Sequence, residues 1–217
     1  MEDSMNRRHF LGASGRFACG LTGATSLLAL GAVQKSAAAD EKEPGPNIIG
    51  PRAPYSPQMG TLVSMLTWMR RIILYPVQGL TVAQLDYLHD EKANTIGALL
   101  LHLAATERYY QLHTFEGKKW GDWDDSIKKR WDTASNLGQA AREQIKGNEL
   151  GYYLGALKEV RQHTLAELRK RDDAWLMQVI PNSGSEPMNN FCAWFHVCEH
   201  ESNHNGQVKW LKARLPA

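Results

Sequence analysis

The chain has 217 residues and a formal net charge of +2, from 25 Lys+Arg against 23 Asp+Glu. So even a balance leaves no basic surplus to neutralise phosphates, which excludes nucleic acid as a partner. The sequence also lacks a Gly-rich phosphate loop, a CxxC pair and a nucleophile elbow, so few segments can carry chemistry.

The first 39 residues read as an address rather than a fold. Arg7-Arg8 are followed by Phe10-Leu11, by a soft apolar stretch from Phe17 to Val33, and by Ala37-Ala38-Ala39 before Asp40. Twin arginines, an apolar region and a small-residue cleavage site in that order resemble a bacterial twin-arginine signal peptide. Such a leader implies export to the periplasm of a chain already folded, which suits a preloaded cofactor. The apolar stretch is interrupted by Gly20, Gly23 and Gly31 and falls short of the roughly 20 residues a spanning helix needs. No stable membrane anchor is therefore expected after cleavage. The leader holds four Lys/Arg and two acids, so the mature chain carries 21 of each sign. Its length suits one domain with a single core.

Residues 40–56 are rich in Pro, Gly and charge and read as an extended segment leading into a domain over 57–217. Ser56-Pro57 opens a first helix, with Ser as the cap and Pro at the first helical position. Met59, Leu62, Val63, Leu66, Met69 and Ile73 give it one apolar stripe, and Pro76 ends it. A short helix or turn is expected over 81–89. Thr95 caps a second long helix running to about Phe115, with His102 set inside the apolar run LLLHLAA. Residues 125–145 are expected to be helical but weakly patterned. A third long helix spans about 150–171, the segment 172–187 reads as a loop, and Asn189 or Asn190 caps a fourth long helix reaching about Leu215. No segment alternates with a period of two, so strands are not indicated. Four long amphipathic helices in one domain predict an all-α four-helix bundle.

The fourth helix carries His196, His200 and His204. A step of four residues advances about 400°, which leaves successive members about 40° apart on one face. Either neighbouring pair can span one ion, and a third ligand must come from a facing helix. His102 is the best candidate, because its apolar neighbours turn it inward. Three neutral imidazoles leave a metal position open, as catalytic sites do. Imidazole suits several divalent ions, so the ligand set does not name the metal. Other titratable groups have weaker claims: Glu107 points about 140° from His102 and suits a salt bridge or a neighbouring-helix contact. Glu201 reads as solvated, His89 and His113 as exposed, and His163 as a surface residue that could approach the site. Trp68, Trp194 and Trp210 read as core anchors. Cys192 and Cys198 stand about 120° apart on one helix and cannot bridge, so two buried thiols are expected.

The segments NTIGALLLHLAATERYY and EHESNHNGQVKWL resemble the DinB/YfiT-like superfamily. That resemblance covers most of 57–215 and implies a bundle of up-down-down-up topology. It implies a divalent metal held by His102, His200 and His204, with zinc expected first and Ni, Fe or Mn as alternatives. His196 is then left outside the ligand set, lining the pocket or supporting it, and Glu107 matches the second-helix pattern. The characterised relatives imply a metal-dependent enzyme that activates a thiol, as an S-transferase does; an open metal site in an exported chain can equally activate a water, as a hydrolase does. A small-molecule substrate follows. The alternative is a non-catalytic metal-binding or interaction protein of the periplasm. Bundles of this kind pair through helix faces, so a homodimer is a further expectation.

Overall fold

The computed structural model describes residues 45–181 and 186–216. The stretch expected to be a twin-arginine signal peptide lies outside them. Among the described residues eight helices follow in chain order: α1 (Pro57–Leu74), α2 (Val82–Leu85), α3 (Ile96–Thr114), α4 (Asp125–Asn136), α5 (Gly138–Gln144), α6 (Leu150–Leu168), α7 (Asp173–Met177) and α8 (Asn190–Lys212). Among the described residues β-pairing is confined to one isolated antiparallel bridge, Val179 with Asn189. No helix in the described part is long and apolar enough to cross a membrane.

Helix starts follow local chemistry in two of the three expected places. Thr95 Oγ1 accepts from Ala98 N at 3.0 Å, and Asn189 Oδ1 accepts from Cys192 N at 2.8 Å. Ser56 departs from the expectation. Its hydroxyl makes no cap bond and instead donates to Asp173 Oδ1 at 2.5 Å, while Gln58 N and Met59 N donate to the same carboxylate. The first helix is thus capped by a side chain from α7, distant in sequence. That helix also corrects the loop expected over 172–187: Asp172 Oδ1 accepts from Trp175 N at 2.9 Å and starts a short turn. The weak helix expected over 125–145 is two helices, broken where Leu137 and Gly138 take φ of 54° and 70°.

Side-chain pairs set the directions of the long helices. Arg161 reaches Leu66 O and Arg70 reaches Leu157 O, so α1 and α6 run antiparallel. Glu201 meets Arg70, and Lys212 meets Pro76 O, so α8 runs with α1. His102 meets His200 while Tyr110 meets His196, so α3 runs against α8. Gly97 meets Tyr153 and Gln111 meets Val160 O, so α3 and α6 are parallel. The result is an up-down-down-up bundle, as expected, with α4 laid over the remaining side of α3.

Helix α3 is buried along nearly its whole length, from Ile96 to His113. The buried core includes Ile73, Leu99, Leu100, Leu103, Leu157 and Val208 around α3, and Met59, Leu62, Leu66 and Trp194 between α1 and α8. Each fully buried aliphatic side chain contributes about 1.5–3 kcal/mol. Helices α3 and α6 approach closely at Gly97, where an added Cβ would stand 2.6 Å from Tyr153 Oη and 2.7 Å from its Cζ. Tyr153 is fully buried, so its ring can yield only by shifting inside the core. Gly97→Ala should therefore destabilise the chain by about 1–3 kcal/mol in urea unfolding. An unchanged midpoint would contradict this helix contact.

Candidate metal centre

His102 enters from α3, and His200 and His204 from successive turns of α8. His200 Nε2 lies 3.2 Å from His102 Nε2 and 3.2 Å from His204 Nε2. One ring nitrogen from each of the three falls within 4.8 Å of the other two. His102 and His204 are buried, and His200 is partly so.

Outer partners fix two of the rings. His102 Nδ1 donates to Ala134 O at 3.0 Å, at the end of α4. His204 Nδ1 donates to Gln207 Oε1 at 3.2 Å. In a neutral imidazole a proton on Nδ1 leaves Nε2 with a bare lone pair. Two lone pairs therefore face His200 Nε2, which carries at most one proton. A cation among the three nitrogens would satisfy all of them at once. The spacing also suits one: with metal–nitrogen bonds of about 2.0–2.1 Å, tetrahedral neighbours lie about 3.3 Å apart.

Electrostatics keep the cluster neutral and available. Burial, then the nearby charge of His204, lowers the His102 pKa to about 4. Burial, followed by the influence of His204, His102 and His196, lowers His200 to about 3. Burial lowers His204 as well, against the opposing bond to Gln207. All three rings are thus neutral at neutral pH, each with one nitrogen lone pair to offer.

A cavity of about 500 Å³ lies one turn beyond the histidines, between the start of α3 and the end of α8. Leu99 and Leu211 form its apolar part; Lys92, Asn94, Asn203 and Gln207 bring polar groups, and Trp210 lines one wall. Gly206 also borders it, and a Cβ there would meet nothing within 4 Å. This glycine leaves open space beside His204's turn rather than serving a close helix contact.

The remaining candidates separate. His196 is exposed, with its ring 5.4 Å from His200 and 5.7 Å from Tyr110, and its Nδ1 3.5 Å from Glu199. Glu107 does not reach the histidines: it is wholly buried and accepts from Arg70, Arg161 and Thr164. That is the neighbouring-helix ion pair its angle suggested. His163 is exposed and lies against Phe115, away from the cluster. Glu201 corrects the expectation of a solvated side chain. It is 1% exposed and accepts from both Arg70 and Arg161. His113 is buried rather than exposed, because the chain after α3 folds back and Lys118 O accepts from its Nδ1 at 2.8 Å. Trp194 is a core anchor, Trp68 is half-buried, and Trp210 is 44% exposed because it faces the cavity. Both thiols are free, but only Cys198 is buried; Cys192 is exposed in the first turn of α8.

Sequence reasoning missed Arg70 and Arg161. Each stands on the apolar stripe of its helix, α1 and α6 respectively, where a charge requires a buried partner.

The model of the family described as mycothiol-S-transferase matches residues 61–216. No curated protein matches. Among solved structures, a conserved protein of locus from Enterococcus faecalis is similar at a TM-score of 0.50 and 13% identity. The match covers 70% of this chain and 92% of that one, a likeness of fold alone.

Proposed function

Because the chain belongs to the mycothiol S-transferase family, we propose that it is a metal-dependent enzyme joining the sulfur of a small thiol to an electrophilic acceptor. In this reading His102, His200 and His204 hold one divalent ion, zinc by preference. The observation that carries it is the pair of fixed tautomers that aim two lone pairs at a third imidazole nitrogen. When bound, such an ion supplies the Lewis acidity that makes a thiol a nucleophile at neutral pH.

The chain's own residues do the rest. Ala134 O and Gln207 hold the Nδ1 protons of His102 and His204, which orients both rings. Gln207 also borders the cavity, so one side chain touches both the ligand shell and the space for a substrate. Leu99 and Leu211 give that space a dry wall, and Lys92 with Asn203 offers donors to an oxygen-rich molecule.

The test follows thiol and acceptor separately in the zinc-loaded chain, with mycothiol as the thiol and a model electrophile as the acceptor. Loss of both in equal amounts, abolished by chelation, is expected. Acceptor loss without thiol loss would make water the nucleophile. A chain that binds zinc and consumes neither would be a non-catalytic metal-binding protein. The leader belongs to the same proposal: the mature chain starts near Asp40 and works in the periplasm. An intact mass beginning at residue 1 in the cytoplasmic fraction alone would refute export.

A further inference from the structure

We infer that Arg70 and Arg161, on the two long helices that carry none of the three histidines, are positioning residues of the metal centre. They clamp the ligand-bearing helices α3 and α8 together. The inference rests on the metal-binding reading above.

Each long helix contributes one charged side chain to a single buried cluster: Arg70 from α1, Glu107 from α3, Arg161 from α6 and Glu201 from α8. The two acids sit on the helices of the histidines. Glu107 lies five residues after His102, and Glu201 directly follows His200. Both guanidiniums touch both acids. Arg70 Nη2 donates to Glu107 Oε2 at 2.6 Å and to Glu201 Oε1 at 2.5 Å. Arg161 donates through Nε to Glu107 Oε1 at 2.7 Å and through Nη2 to Glu201 Oε1 at 2.9 Å. Each arginine is then fixed crosswise. Arg70 Nη1 donates to Leu157 O on α6, and Arg161 Nη1 to Leu66 O on α1.

The geometry has a direct consequence for the histidines. His200 and Glu201 are about 100° apart around α8, so rotating one away displaces the other. An imidazole nitrogen stands about 6 Å from its helix axis, so a rotation of about 10° moves it about 1 Å. A metal site tolerates about 0.2 Å. The hydrophobic effect is non-directional and by itself selects no rotation. Forked guanidinium–carboxylate bonds are directional and do. Without the arginines, two buried carboxylates would repel and spread α3 from α8, the two helices whose nitrogens must stay 3.2 Å apart.

Co(II) titration of the full mature chain tests this, with absorbance reporting both affinity and coordination number. The charge-balanced variant Glu107→Leu/Arg161→Met removes one acid and one base and leaves Arg70 on Glu201. It should stay helical, bind Co(II) about 10–100-fold more weakly, and lose the intense visible bands of low coordination. Arg161→Lys keeps the charge but loses the fork; it should fold and weaken binding in the same direction, by less. Should the double variant fail to fold, Arg161→Lys decides. Variants that bind within about twofold of wild type with unchanged bands would overturn the clamp. Wild-type protein that takes up no Co(II), while His102→Ala behaves identically, would instead overturn the metal reading and the clamp with it.

Discussion

His204→Ala will empty the metal centre. The variant loses one of the two Nε2 lone pairs aimed at His200, and its affinity should fall by more than the roughly 10–100-fold that loss of an outer partner costs. Two measurements separate this from general damage. Metal content after purification should drop to background in His204→Ala and in His102→Ala. Added zinc should raise the unfolding midpoint of wild type only, since a ligand at a thousandfold excess over its dissociation constant stabilises by about 4 kcal/mol. In the metal-free protein the substitution removes one of two competing acceptors, so its midpoint should change far less than that of the loaded protein. Equal metal content in wild type and both variants would sink the proposed ligand set.

Glu107→Ala will strongly destabilise the bundle. It leaves Arg70 and Arg161 buried against one carboxylate, and breaking a buried pair from one side costs about 3–5 kcal/mol. For a domain of this size that is a fall of roughly 6–20 °C in the thermal midpoint. Acid should narrow the difference. Burial alone would push the Glu107 carboxyl up, but the charges of Arg161 and Arg70 more than reverse that and hold it below the usual carboxylate range. A depressed carboxylate contributes its stability above the unfolded value, about 4.3, and loses it as pH falls through the folded one. Wild type should therefore lose stability below about pH 4 more steeply than Glu107→Ala. Parallel acid profiles would show that Glu107 carries no such charge.

The bundle was legible because its signals are local. Apolar stripes at three- and four-residue steps located the four long helices, and Thr95 and Asn189 marked two starts through their own side chains. The cap of α1 was not legible. Ser56 suggested itself, but Asp173 holds those amides, and nothing near Ser56 in sequence announces an acid arriving from α7. The arginines left a faint signal. Arg70 and Arg161 interrupt apolar stripes, as Glu107 and Glu201 do, two of each sign on four helices. Glu201 looked solvated because Glu199, Ser202 and Asn203 surround it in sequence, yet those residues are exposed while Glu201 turns inward. Trp210 misled in the opposite way: a tryptophan at helical spacing suggests core, but here it meets an open cavity.

What the sequence settles alone is which residues share a helix and a face, because backbone periodicity follows from chain geometry whatever lies opposite. It set His200 and His204 one turn apart and turned His102 toward an apolar interior. Only the tertiary structure decided that these imidazoles converge, that Ala134 O and Gln207 hold their protons away from the shared centre, and that two arginines tie α3 to α8. Those contacts join residues 3 to 131 positions apart. Only packed helices bring most of them within hydrogen-bond reach.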